Sequence, residues 1–140
     1  MDDIIIHLSL PVYQVYNVGR GSKKKEKKSL ISWNWFMNMN PFKRRDFRRD
    51  YAEIITEKLK NIKRPIEGKY SVTYIYHYKN EKSDLPNVVS IVSKTLNDVL
   101  SELAIVTDDN VQYLIEENSI VGIHDPEDPR IDITIREENG

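Results

Sequence analysis

Two adjacent aspartates, Asp108 and Asp109 in VTDDN, are the residues of this chain best suited to chemistry. Neighbouring carboxylates offer the hard oxygen ligands that Mg²⁺ or Mn²⁺ prefers, and such ions keep part of their water shell and bridge to phosphate. Metal-assisted phosphodiester hydrolysis needs little more: an activated water and a cation such as Lys94 near the scissile phosphate. Asp84, Asn87, Asp98 and Glu102 are the further polar groups that a cleft could gather around the pair. The same residues also read as plain structure. Asp84 then caps a helix, Lys94 and Asp98 form an i,i+4 ion pair worth about a few tenths of a kcal/mol, and Asp108–Asp109 is a turn.

The element that must position them is a helix over 85–103, with Asp84 as N-cap and Pro86 in its first turn. On a helical wheel Val88, Val92, Leu96, Val99 and Leu103 fall within about 80° and form the core face. Asn87, Lys94 and Asp98 fall within about 40° of one another on the opposite side. One polar line thus runs along the helix, with Asp84 at its start and Asp108–Asp109 just past its end. If the flanking strands fold the unit into a cleft, Asp84, Asp108 and Asp109 are expected to share a cation.

Around that unit, residues 4–10 read as an Ile-rich strand ended by Pro11. GRGSKKKEKK at 19–28 reads as an exposed, flexible basic loop. SLISWNWFMNMNPF at 29–42 mixes aromatics with Asn, which argues against helix. A second helix fits 43–62, with Phe47, Tyr51, Ile54, Ile55, Leu59 and Ile62 on one apolar face. KYSVTYIYHYK at 69–79 alternates as a strand. A strand over 111–123, bent near Glu117–Asn118, and another over 130–137 complete the chain. The order predicts an α+β domain over 1–140, with a mixed β-sheet and two main helices.

The composition is that of a soluble globular protein, 39% hydrophobic and 31% charged. No apolar run approaches the roughly 20 residues of a membrane helix, and the expected compartment is the cytoplasm. The absence of cysteine excludes disulfides, thiolate ligands and a Cys nucleophile. The net charge of −1 hides an asymmetry. Residues 1–65 hold 15 Lys/Arg against 7 Asp/Glu, and residues 66–140 hold 6 against 15. A basic half suits a polyanion, and an acidic half can hold cations; the alternative is that the halves neutralise each other. Lys23, Lys24, Lys25, Lys27 and Lys28, with Lys43, Arg44, Arg45, Arg48 and Arg49, are the candidate phosphate contacts. Cations in the first turns of a helix oppose its dipole unless an anion is expected there.

At SDLPNVVSIVSKTLNDVLSELAIVTDDN, residues 83–110, the chain resembles the RusA-like Holliday-junction resolvases of phages and prophages. An Asp-containing loop with Asn, a helix bearing Lys94 and Asp98, and the pair before a strand match in kind and spacing. SWNWFMNMN at 32–40 is similar to the Asn- and aromatic-rich stretch of phage members. The resemblance implies a RusA-like fold and a homodimeric, Mg²⁺-dependent endonuclease that cleaves four-way DNA junctions. It implies metal ligation by Asp84 and Asp109 with Asp108 beside them, Lys94 as catalytic or phosphate-contacting cation, and supporting roles for Asn87 and Asp98. One departure stands out. The best-known members carry Asp-x-Asp-Asn, whereas Asp84-Leu85-Pro86-Asn87 has proline at the second aspartate, and Lys94 lies one helical turn further on. Asp98 or Glu102 is the candidate replacement ligand, and junction binding without cleavage is the alternative function.

His7, His77 and His124 lack ligand spacing and read as surface or strand residues. GRG at 19–21 lacks the helix and Lys/Ser of a phosphate-binding loop. Trp33, Trp35 and Phe36 read either as core or as a wedge that stacks at a junction centre, with at least one expected in the core. Tyr70, Tyr74, Tyr76, Tyr78 and Tyr113 read as strand packing, with a dimer interface as the alternative.

Overall fold

The computed structural model describes residues 3–138. Its strands are β1 (Ile5–Pro11), β2 (Tyr13–Val18), β3 (Lys25–Leu30), β4 (Lys69–Tyr78), β5 (Leu114–His124) and β6 (Arg130–Glu138). Its helices are α1 (Trp33–Met37), α2 (Pro41–Leu59) and α3 (Leu85–Glu102). Four strands form a sheet in the order β1-β6-β4-β5, and β2 and β3 form a separate two-stranded sheet. β4 and β5 are parallel, while β6 is antiparallel to both β1 and β4. This is the mixed α+β architecture that the hydrophobic periodicities predict. Parallel neighbours need a long crossover, and α3 supplies it.

Period-two alternation sends Tyr70, Val72, Tyr74 and Tyr76 of β4 to one face, with Ile131, Ile133 and Ile135 of β6 and Ile6, Leu8 and Leu10 of β1. α2 brings Phe47, Tyr51, Ile55 and Leu59 to the buried cluster, and α3 brings Val88, Val92, Leu96 and Val99. The buried stripe of α3 is wider than the wheel predicts, because Val89, Ile91 and Leu100 are buried too. Leu103 leaves the core, at 40% exposure. The helix stops at Glu102, Leu103 is the C-cap, and the chain turns away through Ala104 at φ 55°.

Several expectations are corrected. The 19–28 segment is a β-hairpin turning through Gly19 and the 3₁₀ turn Gly21–Lys23, so Lys25, Lys27 and Lys28 lie on β3. Gly19 is required there: its φ is +88°, and a Cβ would crowd the Lys23 carbonyl carbon at 3.1 Å. The 29–42 stretch does contain a short helix, α1, started by Ser32, whose hydroxyl accepts from the Trp35 amide at 3.2 Å. α2 begins two residues earlier than expected. Asn40 caps it through the Lys43 amide at 2.9 Å, and Pro41 presets its first turn. On its predicted apolar face Ile54 is exposed. Strand β5 carries its irregularities opposite Tyr70/Ser71 and Tyr76/Tyr78, not at Glu117–Asn118. Among the described residues no helix is long and apolar enough to cross a membrane.

Candidate functional site

The residues proposed for chemistry hang on the two ends and one flank of α3. Asp84 is its N-cap, with its carboxylate accepting from the Asn87 amide at 3.4 Å, as expected from the sequence. The Asn87 side chain accepts from the Asn34 amide at 3.1 Å and so ties α1 to the start of α3. Asp108 and Asp109 lie beyond the other end. Both Asp108 oxygens are engaged by their own loop: Oδ1 accepts from the Asp109 amide at 2.7 Å, and Oδ2 from Asn110 Nδ2 at 3.1 Å. Next to it Asn110 Oδ1 accepts from the Gln112 amide at 3.0 Å, an Asx turn, so the loop supports the structural reading of the pair.

Asp109 is in a different position. It is exposed, yet partial desolvation raises its carboxyl above the ordinary range, and the hydrogen bond and charge of Asp108 and the charge of Asp98 add to the rise, partly offset by a backbone N–H. Crowded like charges disfavour ionisation, and a cation relieves that penalty. The charges of Asp109 and Asp108, together with Glu117, also hold the Tyr70 phenol high, after burial as the leading cause.

The three carboxylates expected to share a cation are not brought together in one chain. α3 has 18 residues, which rise about 27 Å, and Asp84 and Asp109 lie at its opposite ends. The reason is topological: in a parallel β–α–β unit, the loop before the helix and the loop after it sit at opposite ends of the sheet. Among the described residues no group of three His, Asp or Glu is arranged to hold a metal. A single chain therefore does not fit Mg²⁺ with the ligand set Asp84, Asp108 and Asp109.

The flank of α3 does assemble as a site. A groove between α2 and α3 has Arg45, Arg48, Arg49, Lys94, Glu53, Asp98 and Glu102 as its charged lining. Three arginines of α2 face Lys94 of α3 across it, a phosphate-binding feature that the three carboxylates partly offset, and Lys94 and Asp98 share the groove because i,i+4 residues share a helix face. The arginines differ in freedom. Arg49 is engaged by Asp46 at 3.4 Å and Asp50 at 3.3 Å. The Arg48 guanidinium lies 4.9 Å over Phe36, and that of Arg45 lies 5.6 Å over Phe42. Arg44 Nη1 approaches the Met37 sulfur at 3.7 Å, and the exposed Lys43 begins the row. Phe42 is 70% exposed and Trp33 37%, whereas Phe36 is buried. The aromatic stretch thus contributes to both the core and the surface. The hairpin lysines Lys23, Lys24, Lys25, Lys27 and Lys28 are all exposed.

Two networks escaped sequence reasoning. Behind the polar line of α3, buried Asn97 accepts from the Tyr70 hydroxyl at 3.1 Å and donates to the Ser93 carbonyl at 3.0 Å, while Tyr74 donates to Glu117 at 2.8 Å. On the other face of the sheet, Asp132 accepts from Ser9 at 2.5 Å, His77 Nε2 at 2.9 Å and Arg130 at 3.1 Å. The i,i+2 spacing of Arg130 and Asp132 on one strand was the only signal for the second network. No family model matches this chain, and no curated protein matches it.

Proposed function

We propose that this protein is a homodimeric endonuclease of branched DNA, with four-way junctions as its substrate and Mg²⁺ or Mn²⁺ as its cofactor. The observation that carries the reading is the groove in which Arg45, Arg48, Arg49 and Lys94 stand beside Asp98, at the end of α3 that leads to Asp109. Phosphates seat on the cation row and the lysine hairpin, and this contact is salt-dependent. Exposed Trp33 and Phe42 beside the row offer faces for unstacked bases. The resemblance to the RusA-like resolvases makes Asp84 and Asp109 co-ligands, and a helix length separates them within one chain. Both conditions hold together only when the two carboxylates come from different chains, which fits the homodimer.

The test is incubation with synthetic four-way junctions across a divalent-metal series. Metal-dependent cleavage by wild type, lost in Asp109→Asn, is the expected result; equal background cleavage by both ends the nuclease reading. A second reading, junction binding without cleavage, is favoured by Pro86 in the first turn and by the engagement of both Asp108 oxygens within their loop. It predicts salt-dependent junction binding with no product under any divalent metal.

A further inference from the structure

Strand β5 is an edge of the four-stranded sheet, with β4 on one side and, among the described residues, no strand on the other. Edge strands in soluble proteins are usually blunted by Lys, by Pro or by being short. β5 runs 11 residues, LIEENSIVGIH, with no Lys, Arg or Pro; its charges are Glu116 and Glu117, and its bulges lie towards its two ends, which leaves Glu116–Val121 in regular register. Ile115, Ile120, Val121 and Ile123 are 48%, 48%, 58% and 60% exposed. The opposite edge, β1, is 7 residues long and ends in Pro11.

The charge pattern selects the occupant. Glu116 and Glu117 lie in the first half of β5, and the second half, Ser119–Ile123, is uncharged. Parallel stacking of copies would lay glutamate on glutamate and would leave an open edge. Antiparallel pairing about a two-fold axis lays the acidic half of one strand on the apolar half of the other and closes the assembly. Full overlap of residues 114–124 puts the axis at Ser119, with Glu117 opposite Val121 and Asn118 opposite Ile120. Beside the strand, a groove lined by Pro86, Ser90 and Ser93 of α3 and by Glu117 and Ser119 leaves room for the partner's side chains on the helix face.

We propose that β5 is the homodimer interface, pairing antiparallel with β5 of a second copy to make one eight-stranded sheet. This rests on the homodimer in the proposed function and names the surface that forms it. The two α3 helices then run antiparallel on the same face of the joined sheet. The Asp84 end of each lies at the same end of that sheet as the Asp109 end of the other.

The native chain has no cysteine, so a single introduced thiol reports the register. Ser119→Cys is expected to give a disulfide-linked dimer on mild oxidation, because directly opposed residues hold their Cβ atoms about 5 Å apart. Glu127→Cys, exposed in the β5–β6 turn, is expected to give none. Light scattering should find wild type dimeric and Ile120→Lys/Ile123→Lys monomeric, with circular dichroism unchanged. Ile54→Lys on α2 should remain dimeric. A monomeric wild type, a dimer indifferent to the two lysines, or a dimer that Ser119→Cys does not link would each overturn the proposal. None of these measurements uses DNA or metal, so their failure is separate from failure of the nuclease reading.

Discussion

Asp84 and Asp109 stand at opposite ends of α3, one capping its first turn and the other beyond its last. The 18 residues between its ends span about 27 Å, several times the reach of one divalent ion. If both carboxylates serve one cation, each dimer holds two sites, each built from two chains. Asp84→Asn and Asp109→Asn should then be inactive alone and active when mixed and re-equilibrated. Random exchange leaves about a quarter of the sites intact. The heterodimer has one working site, so the expected product is a nicked junction. Junction nicking on a denaturing gel is the readout, and a mixture as inactive as its components would show that the two carboxylates do not serve one cation across the dimer.

The groove cations should differ in their effect on DNA affinity. Arg49 is shared between Asp46 and Asp50, and phosphate must compete for it. Arg45 has only the Phe42 ring beneath it among the contacts described. Arg45→Ala is expected to lower the slope of log affinity against log salt by about 0.9, and Arg49→Ala by clearly less. Titrations of labelled junction at several salt concentrations measure both slopes, and equal slopes would show that the ion pairs do not tune the row.

Why some of this was legible in the sequence, and some not, follows from the range of the interactions. The Asp84 cap, the proline after it and the apolar stripe of α3 are local signals, and they located the helix to within a residue. The hairpin was missed because β3 reads KEKKSL, a run that looks like solvated loop until β2 provides its hydrogen-bonding partner. The short α1 carried a readable Ser32 cap, but its aromatic and Asn content outweighed that signal. The cation site was misjudged for a different reason. Periodicity located helix and strands, yet the parallel pairing of β4 and β5, which sends the two ends of α3 apart, is non-local.

Asp109 makes a prediction about pH. Its carboxyl is held above the ordinary value first by partial desolvation and then by Asp108 and Asp98. A raised acid binds more protons folded than unfolded, so it costs stability as pH rises from the ordinary 3.8 through the raised value. Without divalent metal, Asp109→Asn should therefore raise Tm slightly at pH 7 and leave it unchanged at strongly acid pH. Thermal melts in chelator at the two pH values check the sign, and a lower Tm at pH 7 would reject it.

Asp132 runs the other way. Burial pulls its carboxyl up, but the Ser9 hydroxyl, Arg130 and His77 together hold it below the ordinary 3.8. That stability is fully present above the unfolded value and is lost as pH falls through the depressed one. Asp132→Asn should cost about 1 kcal/mol at neutral pH, given its partial exposure, and the deficit should shrink as the pH falls below 3.8. Urea unfolding at pH 7 and pH 2.5 provides the comparison, and a deficit independent of pH would assign the loss to packing.

Gly122 is fixed by the ring of His77. A Cβ there would lie 2.6 Å from His77 Cε1 and 2.9 Å from Ile75 Cγ2, and closer still to His77 Nδ1. The ring is held at both nitrogens: Nδ1 accepts from the Ile123 amide at 3.1 Å, which leaves the proton on Nε2, and Nε2 donates to Asp132 at 2.9 Å. It has no low-cost way to move aside. Gly122→Ala should therefore cost about 1–3 kcal/mol, more than an alanine in an exposed edge strand would. Replacing the ring removes the two closest contacts and leaves the Ile75 methyl, so Gly122→Ala in a His77→Ser background should cost less than in wild type. A double-mutant cycle on unfolding free energies isolates that coupling, and a coupling energy near zero would mean that Ile75, not His77, requires the glycine.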